Sequence, residues 1–307
     1  MNRPRDALLL MAVTATATML AFGGATVGAD RPAGSKVQSA ASIPDFSGIW
    51  THLTWPAFEP PLAGPGPVMN SVHRKGVGDV YQLVGDYSNP ILQPWAAAVV
   101  KRHGEIALAG KGYPTPSNQC WPNGVPYVLW NIDMQILQQP DRITIIFSND
   151  QEVRHVRMNK PHPARRAPSW YGDSVGHYEG DTLVVDTVAV KRGPFAMIDM
   201  YGTPYTEALH VVERFRLLDE IAAKEAEERG QRELAHLSQR PEFHADKGKA
   251  LQVQFTVEDE GAFTMPWSAA VTYRRLLTEW RESVCAENIH RYFEEDEKVP
   301  VAGKPDF

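Results

Sequence analysis

Three ionisable side chains fall at positions where strand alternation asks for apolar ones: His177, Glu213 and Arg154. The stretch 170–187 reads Trp-Tyr-Gly-Asp-Ser-Val-Gly-His-Tyr-Glu-Gly-Asp-Thr-Leu-Val-Val-Asp-Thr, two short runs joined through Glu-Gly-Asp. It reads as a β-hairpin in which Gly180 supplies the positive φ of a tight connection. With 179–181 as the turn, His177 pairs with Leu183 and Val175 with Val185. One face then carries Val175, His177, Leu183 and Val185, with Asp173 at its rim. In the run 209–218, Leu209, Val211, Phe215 and Leu217 share a face with Glu213. A two-residue turn at Asn149-Asp150 sets Arg154 opposite Ile145, on the face of Ile143 and Phe147. Burying such groups unpaired is costly, so they must be paired, wet or functional. As chemistry, His177 would be a general acid or base, Glu213 its partner and Arg154 a clamp for an anion or oxyanion. The structural alternative is an Arg154–Glu213 ion pair with His177 bonded to backbone.

Aromatic residues gather near the same stretch. Trp170, Tyr171 and Trp267, with Asp173 at the rim, are the candidate ligand-binding residues; Trp121 and Tyr201 accompany them. Ordinary core packing is the competing explanation. The histidines show no His-x-x-x-His spacing and the cysteines no Cys-x-x-Cys, so no metal site and no cofactor are expected. Gly172-Asp173-Ser174-Val175-Gly176 matches Gly-x-Ser-x-Gly by letters. A nucleophile elbow needs a strand followed by a helix, whereas this chain turns into a second strand.

The elements that would carry these residues are mostly strands. Order is expected from Asp45-Phe46-Ser47-Gly48-Ile49-Trp50. The Pro-rich 56–67 stretch can be neither helix nor central strand, and wraps the surface or forms a lid. Pro94 opens an amphipathic helix that runs to about Leu108 and stops at Gly110 and Gly112. Strands follow at 134–137, 143–148, 152–158, the hairpin, 209–218, 251–257 and 269–275. Between them, 219–249 turns to Ala, Glu, Arg and Lys and reads as a solvated helical excursion. About nine hairpin-connected strands with few helices predict a mainly β fold: an antiparallel lipocalin-like barrel or a strongly curved meander sheet, with a two-sheet sandwich as the alternative.

The chain of 307 residues, 43% hydrophobic, can bury a full core, and residues 45–292 are expected to form one β-rich domain. A net charge of −6 without a long basic run argues against nucleic acid as a partner. Residues 1–29 have the layout of a signal peptide: Arg3 and Arg5, an apolar run, then Val27-Gly28-Ala29. Residues 30–44 read as a disordered mature N-terminus and 293–307 as a tail. A periplasmic or secreted protein without a stable membrane span after cleavage is expected. The two cysteines, Cys120 and Cys285, are then expected to form a disulfide.

Several blocks carry a resemblance: Asp-Phe-Ser-Gly-Ile-Trp (45–50), Cys-x-Pro-x-Gly-x-Pro (120–126), the 169–187 block, Leu-His-Val-Val-Glu-Arg-Phe (209–215) and Met-Pro-Trp (265–267). In this order they resemble a large family of exported bacterial proteins. The resemblance implies export and a single β-rich domain, and brings no activity with it. The Gly-x-Trp start also resembles lipocalin-like barrels, where the Trp plugs one barrel end. Two functions follow as expectations: binding of a small apolar or aromatic molecule, or acid–base enzymology in the same cavity as a lyase, isomerase or hydrolase. An envelope module without a ligand is the third.

Overall fold

A computed structural model of the chain describes residues 43–52, 58–71, 83–130, 133–150, 152–234, 245–277 and 283–285. The expected signal peptide, nearly all of the expected disordered N-terminus and the expected 293–307 tail lie outside the described residues.

Nine strands close into one barrel in sequence order. They are β1 (Gly48–His52), β2 (Asp133–Gln138), β3 (Arg142–Phe147), β4 (Val153–Met158), β5 (Asp173–Glu179), β6 (Thr182–Val188), β7 (His210–Leu218), β8 (Ala245–Glu258) and β9 (Trp267–Leu276). β1 pairs with both β2 and β9, which removes the free sheet edges that a sandwich would leave. Every pair is antiparallel except β4–β5, which is parallel, with Val156 opposite Ser174 and Met158 opposite Gly176. The chain therefore leaves β4 at one barrel end and must return to the other before β5 begins. Residues 159–172 make that crossover.

Alternation fills the barrel where inward side chains are large. Ile143, Ile145 and Phe147 of β3, Val211 and Phe215 of β7, and Leu251, Val253, Phe255 and Val257 of β8 are all buried. Trp50 is buried too, and its indole Nε1 donates to the Phe46 carbonyl at 2.9 Å.

The end where β2, β4, β5, β7 and β9 begin is capped by the long segment before β2. Helix α1 (Pro94–Leu108) starts on Pro94, whose missing N–H costs nothing at the first helical position. It is tied to the β8–β9 connection through Gln93 N–H to Ala262 O at 2.9 Å and Trp95 Nε1 to Gly261 O at 2.7 Å. A 3-10 turn at Tyr127–Trp130 is wholly buried, and Tyr273 inside the barrel donates to its Leu129 carbonyl. This plug closes that end of the barrel.

Helix α2 (Glu220–Leu234) is the charged excursion, and it packs on the outside of β7–β9 through Ala223 and Ala226. Beneath it, Arg274 pairs with Glu227. The Pro-rich stretch is described from Phe58 onward. It lies along β9, with Glu59 bridged to Ala270 and Ser268 N–H donating to Pro65 O at 3.0 Å. Cys120 and Cys285 form the expected disulfide across a separation of 165 residues, which fits an oxidising compartment. Among the described residues no helix is long and apolar enough to cross a membrane.

Candidate functional site

The β5–β6 hairpin decides where the candidate residues go, and its register is one residue off the sequence expectation. Glu179 pairs with Thr182, His177 with Val184 and Val175 with Asp186. The turn is the two residues Gly180-Asp181, with Gly180 at φ 63°. A slip of one residue exchanges the two faces of a strand. His177 therefore stands on the outer face, its side chain 52% exposed and 3.1 Å from Glu179 Oε1. Ser174, Gly176 and Tyr178 point inward instead. Gly176 fits there because a Cβ would lie 2.9 Å from Val156 Cγ1 and 3.0 Å from Met158 Sδ, on the parallel neighbour β4.

Inside the barrel, Arg154 and Glu213 meet without His177. Both side chains are fully buried. Arg154 Nη1 donates to Glu213 Oε1 at 2.8 Å, and Nη2 donates to Oε2. Nη2 also reaches Thr187 Oγ1 at 2.8 Å, and Nε reaches Ser174 Oγ at 3.2 Å. β4, β5, β6 and β7 each supply one member. These bonds engage the planar guanidinium along its edges, and full burial gives it no open side to a substrate. The expected trio of His177, Glu213 and Arg154 is not assembled; two of its members form the structural ion pair.

The outer face carries a second network, which sequence reasoning missed. The crossover bends His162 between two strands: its Nδ1 meets Asp173 Oδ1, and its Nε2 lies 2.9 Å from Asp186 Oδ1. His210 Nε2 lies 3.1 Å from Asp186 Oδ2, and its Nδ1 lies 3.2 Å from Glu258 Oε2. Arg157 Nη2 donates to both oxygens of Asp173, at 2.7 and 3.0 Å. The result is a chain Arg157–Asp173–His162–Asp186–His210–Glu258 across β4, the crossover, β5, β6, β7 and β8. Burial works to lower the His210 imidazole, but its bonds to Asp186 and Glu258 outweigh that and hold it above its ordinary value. Burial works to raise the Asp186 carboxyl, but hydrogen bonds from His162 and His210 leave it below its ordinary value. When charged, the His210 ring can donate to carboxylates through both nitrogens, and that form has no nitrogen to act as a base. Asp173, expected at a ligand rim, belongs to this chain. Among the described residues no His, Cys, Asp or Glu group is arranged to hold a metal ion.

The aromatic candidates separate in the same way. Trp267 is 1% exposed and packs edge-on against Phe255 and Phe263, with ring centroids at 6.1 and 5.7 Å, so it is core. Tyr171 stacks on Phe147 at the rim, beside Glu152, whose carboxyl burial pushes up to about 7. Trp170 does line an open concavity. A shallow cleft of about 250 Å³, counting the solvent at its mouth, is walled by Trp121, Trp170, Phe195, Met197 and Tyr205. Trp121 stands edge-on to Trp170 at 5.4 Å and to Phe195 at 5.8 Å. It follows Cys120 directly, so the disulfide fixes its base. Trp121 remains 38% exposed. The walls come from three connections at one barrel end: the segment before β2, the crossover, and the β6–β7 connection.

Comparison with protein-family models, curated proteins and solved structures finds no match.

Proposed function

We propose that this is an exported β-barrel protein that binds a small apolar or aromatic molecule, and that the site is the rim cleft rather than the barrel interior. One observation carries the reading. The interior is filled by the Arg154–Glu213 pair and packed aromatic side chains, whereas Trp121, Trp170 and Phe195 hold their rings partly bare around a concavity. Rigid aromatic walls at right angles offer a flat ligand both a face and an edge, at little cost in side-chain entropy. The disulfide beneath Trp121 supports preorganisation of that wall. Export is supported by the layout of residues 1–29 and by the oxidised cysteine pair.

The test is calorimetric titration with 2-naphthamide, a neutral two-ring probe. The wild type should bind it, and Trp121→Ala should weaken binding by at least about tenfold. Absence of binding to the wild type, or equal binding by Trp121→Ala, would remove the cleft from consideration.

A further inference from the structure

We infer that the rim cleft takes its aromatic ligand as an anion, with Lys191 as the counter-charge; this rests on the binding reading above. Lys191 is anchored between two parts of the cleft wall. Its N–H donates to Ser169 O at 2.7 Å, one residue from Trp170, and its carbonyl accepts from the Tyr205 hydroxyl at 2.8 Å. This fixed backbone sends the side chain over the indole of Trp170, with Nζ 4.8 Å from the ring centroid. A ring face attracts an ammonium but does not neutralise it. Among the described residues no carboxylate lies within ion-pairing distance of Lys191. The neighbouring cation, Arg192, differs: its guanidinium faces Glu207 at 4.0 Å. Lys191 therefore holds an uncompensated charge on the indole of Trp170, beside the residues that line the concavity rather than among them.

A ring laid on the exposed surfaces of Trp121, Trp170 and Phe195, with a carboxylate at its edge, would meet both needs at once. The ring would take the apolar walls, and the carboxylate would take the ammonium in a charge-assisted hydrogen bond. The ligand class is thus an aromatic carboxylate, held on the open face of the cleft.

A matched pair of probes tests this: 2-naphthoate and 2-naphthamide share the ring and differ in charge. Titration calorimetry at low salt should show the wild type binding 2-naphthoate about tenfold more tightly than 2-naphthamide. Lys191→Gln should bring 2-naphthoate down to the level of 2-naphthamide and leave 2-naphthamide unchanged. Arg192→Gln should leave the preference in place. Equal binding of the two probes by the wild type overturns the anion inference and leaves the cleft intact as a site. Loss of the preference in Arg192→Gln as large as in Lys191→Gln overturns the assignment to Lys191. Binding of neither probe overturns the cleft reading and this inference with it.

Discussion

Two ionic networks share the β5–β6 hairpin and stand on opposite sides of it. Ser174 and Thr187 reach inward to Arg154, while their sequence neighbours Asp173 and Asp186 reach outward to His162. The inner network is dry, and Arg154 and Glu213 are fully buried. The outer one is wet, its side chains ranging from 18% exposed at His162 to 52% at Glu258. Low dielectric makes each inner contact strong and makes each broken one expensive. Water and salt weaken each outer contact. Similar donors and carboxylates thus do different work: the inner set fixes the barrel, and the outer set tethers the crossover to its surface.

The largest expected effect breaks the inner network. Glu213→Gln leaves the Arg154 charge buried without a counter-charge and should destabilise the fold by about 3–5 kcal/mol in urea unfolding. Arg154→Met combined with Glu213→Leu removes both charges and should recover most of that loss. A single-variant cost near zero would mean that water reaches the pair.

His162→Ala cuts the outer chain at its crossover residue. A loss of about 1 kcal/mol is expected, because the contacts are partly screened. The loss should shrink in 1 M salt, while that of Glu213→Gln should not. Limited proteolysis should also cut 160–168 faster in the variant than in the wild type.

The pH dependence sharpens the contrast. His210 is raised in the folded state from its ordinary 6.5, so its contribution is complete below about pH 6.5 and is lost as pH rises through the folded value. Buried carboxyls act with the same sign in a lower window: Glu59 and Glu152, pushed up to about 7 by burial, cost stability as pH rises from about 4.5. The difference between wild type and His210→Ala isolates the imidazole. The wild-type advantage in Tm should be present at pH 6 and diminish above it. An advantage that grows with pH would reverse the assignment.

The smallest effect is expected at His177. On the outer face and half exposed, it should tolerate alanine with a change below about 0.5 kcal/mol. A loss of several kcal/mol would return it to the interior.

The barrel was legible where inward side chains are large. β7 and β8 announce their inner faces through Val211, Phe215, Val253 and Phe255, and that pattern placed Glu213 inside. The Asn149-Asp150 turn placed Arg154 opposite Ile145. β5 is the exception, because its inward positions are Ser174, Gly176 and Tyr178 while Val175 and His177 face out. Alternation there points the wrong way. The outer chain was illegible for another reason: Asp173 and His162 are 11 residues apart, His162 and Asp186 24, and His210 and Glu258 48. Only the parallel β4–β5 pairing routes the crossover past β5 and β6, and a hydrophobic pattern carries no strand direction. The rim cleft showed in part: Trp170 and Trp121 stood out among the aromatic residues gathered near the hairpin, but Phe195 and Lys191 carry no signal until three connections meet.

The sequence by itself determined the strand-rich fold, the start of α1 at Pro94, the cysteine pairing and the inward faces of β3, β4, β7 and β8, because each rests on local alternation, proline geometry or the presence of only two thiols. The tertiary structure alone decided which face of β5 looks inward. A turn of two or three residues satisfies Glu-Gly-Asp equally well, and changing its length by one residue inverts every side chain of β5 relative to β6. In the two-residue form the residue facing Val156 and Met158 is Gly176, whose missing Cβ leaves those side chains their room.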